Sequence, residues 1–117
     1  MVTLSKTNIA ESRRRQLLAN CKDRARKKNL ACTITIDDII IPEKCPILGI
    51  TLVSGFDTGR ANSPSVDQIK VGEGYVPGNI QVISYLANQM KSNGTLEQCI
   101  ALGDWARRQL EISSKPR

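Results

Sequence analysis

The most restrictive feature of this sequence is the stretch of residues 8–29, which contains neither glycine nor proline and is dense in helix-forming residues. Glycine and proline interrupt helices, so this stretch favours one continuous helix. Its apolar residues recur at helical spacing and form a narrow stripe of Ile9, Leu17, Leu18, Cys21 and Ala25. We therefore predict a long N-terminal helix that packs one narrow edge against the rest of the chain.

The same helix carries the excess positive charge of the chain. Residues 1–30 hold nine Lys and Arg against two acidic residues, a net charge of +7, whereas all 117 residues sum to +6. Such a block exceeds what solubility needs and is typical of an arm that binds a polyanion. We predict that it binds nucleic acid, with DNA as the first candidate, through Arg13, Arg14, Arg15, Lys22, Arg24, Arg26, Lys27 and Lys28.

Two other interpretations of the basic helix stay open at this point. It could be a solvated face that keeps the protein soluble. A membrane-surface helix is disfavoured, because the apolar stripe is narrow and carries no aromatic anchors. We expect no membrane partner.

Residues 31–117 are expected to complete a single domain with an aliphatic core, because aromatic residues make up only 3% of the chain. No apolar run is long enough to cross a membrane and the N-terminus does not resemble a signal peptide, so we expect a cytoplasmic protein. The chain contains no histidine, and its cysteines stand far apart at Cys21, Cys32, Cys45 and Cys99. Structural zinc needs closely spaced ligands, so we expect reduced thiols and no zinc.

Turn residues and side-chain alternation divide the middle of the chain into short elements. Apolar runs on either side of residues 48–49 predict a tight hairpin. Alternation with a period of two predicts strands over residues 65–69 and 79–84. Ser84 can cap a following helix over residues 85–91. We therefore predict an α+β fold.

A last helix is predicted over residues 96–112. Thr95 and Gln98 have the spacing of a capping box, which marks a helix start. Trp105 is expected to anchor this helix in the core. Its buried face is predicted to comprise Leu96, Cys99, Ile100, Trp105, Ala106 and Leu110.

Four short motifs follow one another between residues 45 and 98. They are Cys45-Pro46-Ile47-Leu48-Gly49, Asn62-Ser63-Pro64-Ser65-Val66-Asp67-Gln68-Ile69, Gly74-Tyr75-Val76-Pro77-Gly78-Asn79-Ile80-Gln81-Val82-Ile83-Ser84 and Ala87-Asn88-Gln89-Met90-Lys91-Ser92. Together they resemble the core of phage-encoded HNH (His-Me finger) endonucleases. The resemblance implies a ββα core, flanked here by the basic N-terminal helix and the C-terminal helix. Cys45 takes the first cysteine position of the Cys-Pro-x-Cys-Gly knuckle that often precedes this core, and Leu48 replaces the second.

The resemblance also implies a role for individual residues. Asp67 falls on the Asp of the Asp-His pair on the first strand, and Gln68 falls on the catalytic His. Asn79 falls on the Asn that opens the second strand, and Asn88 lies near the final His or Asn on the helix. In an active member, Asp67 and Asn88 would hold a Mg²⁺ or Mn²⁺ ion, and Asp67, Gln68 and Asn79 would form the catalytic group.

Glutamine at position 68 removes the general base of this chemistry. The family's histidine takes a proton from water, whereas a glutamine amide accepts none near neutral pH. Lys70, Glu73 and Tyr75 lie close in sequence and could substitute, with no reason yet to choose among them.

Three functions are therefore expected from the sequence. The leading one is a DNA-binding, HNH-like phage protein with weak or lost hydrolytic activity. The second is an active Mg²⁺- or Mn²⁺-dependent endonuclease with a substitute base. The third is a phage protein that binds and modulates a protein of its host.

Overall fold

Three helices and one antiparallel pair of strands form the fold in a computed structural model that describes residues 6–54 and 60–114. This confirms the prediction of an α+β fold. The elements are α1 (Lys6–Lys28), β1 (Pro64–Gln68), β2 (Ile80–Ser84), α2 (Tyr85–Lys91) and α3 (Leu96–Ser114), with a short 3₁₀ helix at Ile36–Asp38. Within the described ranges, no helix combines the length and the apolar character needed to cross a membrane.

Helix α1 forms where the sequence predicts it. Leu17, Cys21 and Ala25 are buried at every fourth position and pack on the sheet. The helix ends at Asn29, which has a left-handed φ of 55°. The backbone N–H of Leu30 donates to the Ala25 carbonyl at 2.8 Å, and that of Asn29 donates to the Arg26 carbonyl at 3.3 Å. This pair of bonds satisfies two of the last four carbonyls of the helix.

The two strands lie between two layers of apolar side chains. Val66 and Val82 are directly paired and face the buried side of α1. Ile83 is fully buried on the opposite face, against Cys45 of the hairpin and Ala87 of α2. Successive side chains of a strand point to opposite faces, so each strand contributes to both layers. The predicted strand 65–69 lies one residue after β1, whereas the predicted strand 79–84 begins one residue before β2 and ends with it at Ser84.

Helix α2 begins directly after β2 and packs on both strands. The Ser84 hydroxyl accepts a hydrogen bond from the backbone N–H of Ala87 at 3.0 Å, which confirms the predicted cap. The order strand, strand, helix places the residues that follow β1 next to the last turn of α2.

The prediction that the last helix buries an apolar face is wrong. The capping box forms, with the Thr95 N–H donating to Gln98 Oε1 at 2.9 Å and the Gln98 N–H donating to Thr95 Oγ1 at 3.1 Å. Yet no residue of α3 is buried, and Trp105 is 52% exposed rather than a core anchor. Both faces of the sheet are already covered by α1, α2 and the hairpin, so α3 does not pack on the sheet.

Candidate functional site

A cleft of about 170 Å³ opens between the C-terminal half of α1, the strand β1 and the end of α2. Six residues that the sequence singled out line it: Arg24, Lys28, Asp67, Gln68, Tyr75 and Asn88. Ser92 and Asn93 add further polar groups to its walls. We call this feature the cationic cleft. The fold thus brings together side chains that lie more than sixty residues apart in the sequence.

Asp67 is neutralised by a buried lysine. Lys91, in the last turn of α2, donates from Nζ to Asp67 Oδ1 at 3.1 Å and to the Gln68 carbonyl at 2.8 Å. Gln81 on β2 donates from Nε2 to the other carboxylate oxygen, Oδ2, at 3.1 Å. The Lys91 and Asp67 side chains are only 8% and 4% exposed. Both carboxylate oxygens are therefore engaged, one of them by a full positive charge.

The residues at this position do not fit a divalent cation. The HNH resemblance implies Mg²⁺ or Mn²⁺ on Asp67 and Asn88, yet the Lys91 ammonium lies beside the carboxylate, where such an ion would bind. An ion could bind Asp67 only by displacing the Lys91 ammonium from this buried ion pair. Asn88 donates from Nδ2 to Ser65 Oγ at 2.7 Å. In the described part of the chain, no three His, Cys, Asp or Glu side chains come together.

Gln68 holds the loop that follows β1. Its side-chain oxygen accepts a hydrogen bond from the Gly74 N–H at 2.8 Å. Gly74 has a φ of +94°, and a Cβ there would lie 2.9 Å from the Ala31 carbonyl oxygen, so only glycine fits. Among the described residues, the Gln68 amide nitrogen donates no hydrogen bond. It remains a neutral donor on the wall of the cationic cleft.

Asn79 fixes the same loop from the other side and does not line the cleft. Its Oδ1 accepts from the Lys70 N–H at 2.9 Å, while Nδ2 donates to the carbonyls of Gly74 at 2.8 Å and Lys70 at 3.2 Å. The side chain is buried. Asn79 therefore positions the loop rather than contacting a bound molecule.

Arg24 and Lys28 supply the positive charge of the cleft. Arg24 donates from Nε to the Tyr75 hydroxyl at 3.1 Å, and its guanidinium carbon lies 5.6 Å from the centre of the Tyr75 ring. A longer bond of 3.5 Å joins Nη2 to the Val66 carbonyl. These contacts hold the guanidinium in place, while Nη1 makes no hydrogen bond within the described residues. Lys28 is exposed and forms no ion pair there.

Two of the predicted DNA-binding arginines are withdrawn from the open surface, since Arg13 is buried and Arg14 is partly buried. Arg13 is 5% exposed. Arg14 donates from Nε to the Ile39 carbonyl and from Nη2 to the Ile36 carbonyl, both at 2.7 Å. The Ile36 carbonyl also accepts the Ile39 N–H of the 3₁₀ turn at 3.1 Å, so the guanidinium from α1 adds a second hydrogen bond to it.

The remaining cations of α1 are exposed and partly paired with neighbouring acids. Arg15 contacts Glu11 at 3.0 Å, and Asp23 contacts both Arg26 and Lys27. Hydrogen bonds from Lys27 and Arg26 lower the pKa of Asp23. Lys22 is exposed as well. At about 100° per residue, Arg15, Lys22 and Arg26 share the outer side of the helix, opposite the cleft.

Of the three possible substitute bases, one lies in the cleft. Tyr75 lines it, and its hydroxyl accepts the Arg24 hydrogen bond. Lys70 and Glu73 are exposed and line a separate depression beside the start of α3. Only Tyr75 could therefore act on a molecule bound in the cationic cleft.

Cys45 forms a turn that packs under β2. Its sulfur accepts hydrogen bonds from the backbone N–H groups of Ser84 at 3.3 Å and Leu48 at 3.5 Å. The predicted hairpin turn is present, closed by the Gly49 N–H on the Cys45 carbonyl at 2.8 Å. Burial alone would raise the pKa of the Cys45 thiol. Hydrogen bonds from Ser84, Leu48 and Ile47 lower it by more than burial raises it, so the pKa falls to about 7.

The pH dependence of stability should reveal this thiolate. The folded pKa of about 7 lies below the ordinary value of 9.0, so folding favours the ionised sulfur. The gain is complete above about pH 9 and is lost as the pH falls through 7, a change of roughly 2–3 kcal/mol. Urea unfolding between pH 6 and 9 measures it, and Cys45→Ser should remove the slope whereas Cys99→Ser should keep it. If the free energy of unfolding changed with pH equally in the wild type and in Cys45→Ser, the pH dependence would not come from the Cys45 thiolate.

Sequence reasoning missed the residues that control Asp67. Lys91 and Gln81 carry no motif of their own. Lys91 does stand three positions after Asn88 on α2, so both side chains project from one face of that helix towards β1. That spacing is the one signal that could have found it.

No protein-family model matches this sequence, and no curated protein or solved structure is significantly similar to it.

Proposed function

We propose that this protein binds the sugar-phosphate backbone of nucleic acid, DNA in the first place, in the cationic cleft and does not cleave it. The observation that carries the proposal is the Lys91 ammonium on the Asp67 carboxylate. The proposal regards β1, β2 and α2 as a degenerate HNH-type ββα core. The order of these elements supports it, as do the positions of Asp67 on β1, Asn79 before β2 and Asn88 on α2.

The charge balance of the cleft supports phosphate binding. Lys91 cancels the one carboxylate in the lining, so a phosphate approaching the cleft meets no uncompensated negative charge. Arg24 and Lys28 remain as net positive charges, and guanidinium and ammonium groups are the usual partners of phosphate oxygens. The free amide nitrogen of Gln68 adds a neutral donor. In this arrangement Lys91 places a positive charge beside Asp67, where a metal-dependent nuclease would have its metal ion.

The same arrangement opposes hydrolysis. Gln68 cannot take a proton from water, and its side-chain oxygen already accepts a hydrogen bond from the Gly74 N–H. Loss of a general base alone typically lowers a rate by about 10²–10⁴-fold. Asp67 is held by Lys91 and Gln81, so it is not available to a cation either.

The second candidate function, a metal-dependent endonuclease with a substitute base, has one observation in its favour. Tyr75 lines the cleft, and Arg24 holds its hydroxyl in place by donating a hydrogen bond to it. This function would require the Lys91 ion pair to open when the metal ion and DNA bind.

Reversal of the charge at position 28 should weaken DNA binding about tenfold, because the substitution places a carboxylate in the cleft. The measurement is fluorescence anisotropy of a labelled duplex with Lys28→Glu, at several salt concentrations and in EDTA. Lys22→Glu is the matched control, since it makes the same change on the outer side of α1. A larger loss for Lys22→Glu than for Lys28→Glu would move the binding surface from the cleft to the outer side of the helix.

Incubation with supercoiled plasmid separates the candidate functions. We expect retarded but uncut plasmid, equally in Mg²⁺, Mn²⁺ and EDTA. Metal-dependent nicking that disappears in Asp67→Asn and in Tyr75→Phe would establish the second candidate. Absence of both retardation and nicking would favour the third expectation, a protein partner in the host.

A further inference from the structure

The outer edge of β1 borders the cationic cleft. Helix α1 covers one face of the sheet and α2 packs on the other. Within the described residues β1 pairs only with β2, so its second edge opens between these two helices. Val66, Asp67 and Gln68, which are three of the five residues of the strand, line the cleft. A molecule bound in the cleft therefore lies against the backbone of β1.

Alternate residues of β1 turn their backbone groups towards this edge. Directly after the strand, the Ile69 N–H donates to the Asn79 carbonyl at 2.8 Å, in register with the β1–β2 pairing. In an antiparallel pair, residues bonded to the partner strand alternate with residues whose N–H and C=O groups point away from it. Odd-numbered residues of β1 therefore face β2. The backbone groups of Val66 and Gln68 point outwards, towards the cleft.

Two cations already occupy the carbonyls of this edge. Arg24 donates from Nη2 to the Val66 carbonyl at 3.5 Å, and Lys91 donates from Nζ to the Gln68 carbonyl at 2.8 Å. Within the described residues, the N–H groups of Val66 and Gln68 donate to no protein acceptor. Both residues are buried. Buried N–H groups nearly always have a partner, so we expect a ligand in the cleft to accept from this edge.

The hydrogen bonding of this edge favours an anion over a peptide strand. An added strand must donate to the edge as well as accept from it, and Arg24 and Lys91 already take the carbonyls. Pro64, the next outward-facing residue, has no N–H to offer. At Val66 and Gln68 the edge thus presents N–H donors beside positive charge. The edge of a sheet with free N–H groups is a known kind of anion site.

The Gln68 N–H has the most favourable position of the two. Along the outer edge of a strand, each outward-facing N–H follows the C=O of the previous outward-facing residue and precedes its own C=O. The Gln68 N–H therefore lies between the Val66 carbonyl and its own. Arg24 and Lys91, bound to those carbonyls, flank it on both sides. Hydrogen bonds to an ionised acceptor are roughly twice as strong as neutral ones.

We propose that the backbone N–H of Gln68 is a phosphate-binding group. It donates to a non-ester oxygen of a nucleic-acid phosphate that lies against the edge of β1, between the Arg24 guanidinium and the Lys91 ammonium. The inference rests on the proposed function, since the cationic cleft must take up nucleic acid for a phosphate to reach this edge. Every nucleotide carries the same phosphate, so this contact positions the strand without reading its sequence.

Amide chemical shifts of the isotope-labelled full chain test the proposal during titration with a short DNA duplex in EDTA. The Gln68 amide proton should move downfield, because donation to a phosphate oxygen reduces its shielding. The amide protons of Ser65 and Asp67 are the internal controls, since they face β2 on the same strand. Sodium phosphate without DNA should move the Gln68 proton in the same direction at higher concentration, whereas sodium chloride should not.

Two substitutions at one position isolate the backbone donor. Gln68→Pro removes the N–H and Gln68→Ala keeps it, while both remove the side-chain bond to Gly74. Proline is tolerated where the N–H of an edge strand faces away from the sheet. Gln68→Pro should therefore bind duplex DNA about tenfold more weakly than Gln68→Ala. Circular dichroism checks that both variants fold, and the shifts of the unmodified chain decide the question if Gln68→Pro does not.

The outcomes separate this inference from the proposed function. If DNA binds but the Gln68 amide proton does not move, the inference is overturned and the proposed function stands. Equal affinity of folded Gln68→Pro and Gln68→Ala for DNA would have the same meaning. Absence of DNA binding would overturn both. If a poly-glutamate peptide moved the Gln68 amide proton where DNA and phosphate did not, the edge would accept a peptide strand instead, and the inference would be wrong.

Discussion

Lys91→Met is expected to lower the free energy of unfolding by about 3–5 kcal/mol, because it leaves the Asp67 carboxylate buried without its counter-ion. The two charged atoms lie 3.1 Å apart, and both side chains are almost fully shielded from water. Urea unfolding followed by circular dichroism measures the loss. Lys28→Met is the matched control, since the same change on an exposed lysine should alter stability by less than about 0.5 kcal/mol.

Removal of the charge from both partners should recover much of that stability. Asp67→Asn in the Lys91→Met background eliminates the unpaired charge, so the double variant should be more stable than Lys91→Met alone. The Lys91→Met variant should also gain stability from Mn²⁺, which binds the freed carboxylate in the native state, whereas the wild type should not. A loss below about 1 kcal/mol for Lys91→Met would mean that water screens the Asp67 carboxylate without help from Lys91. The argument that Lys91 excludes a metal ion from Asp67 would then be wrong.

Asn79→Ala is expected to lower the free energy of unfolding by about 2–4 kcal/mol. The substitution removes three hydrogen bonds at once and leaves the N–H and carbonyl of Lys70 and the carbonyl of Gly74 without their partner. Because Gln68 holds the same loop through the Gly74 N–H, amide exchange at Gly74 should accelerate as well.

The control for this prediction is Asn93→Ala, which alters an exposed asparagine on the wall of the cleft. It should leave stability nearly unchanged. If Asn79→Ala proved equally mild, water would be satisfying the loop, and Asn79 would be available for a role in binding.

Helices were predictable because their signals are local. Residues 8–29 lack glycine and proline, Ser84 caps α2, and Thr95 with Gln98 caps α3, so each boundary follows from a few neighbouring side chains. The strands were less exact. Their ends are set by pairing, and Pro64 belongs to β1 because it lies opposite Ser84, about twenty residues away.

The residues that line the candidate site were predictable, but the ion pairs and burial of their side chains were not. The resemblance placed Asp67, Gln68 and Asn88 together, and they do line one cleft. It could not indicate that Lys91 neutralises Asp67 or that Arg13 is buried. Long flexible side chains form hydrogen bonds with elements that are distant in sequence. Lys91 binds Asp67, 24 residues earlier, and Arg14 binds Ile39, 25 residues later.

The sequence by itself determined that this chain has a basic N-terminal helix, a strand–strand–helix segment and a capped last helix, since spacing and capping act within a few residues. Only the tertiary structure decided which cations face the cleft and which bind carbonyls. It also decided that α3 stays uncovered. An apolar stripe specifies that a helix needs a partner surface, but the partner depends on which layers of the core are already filled.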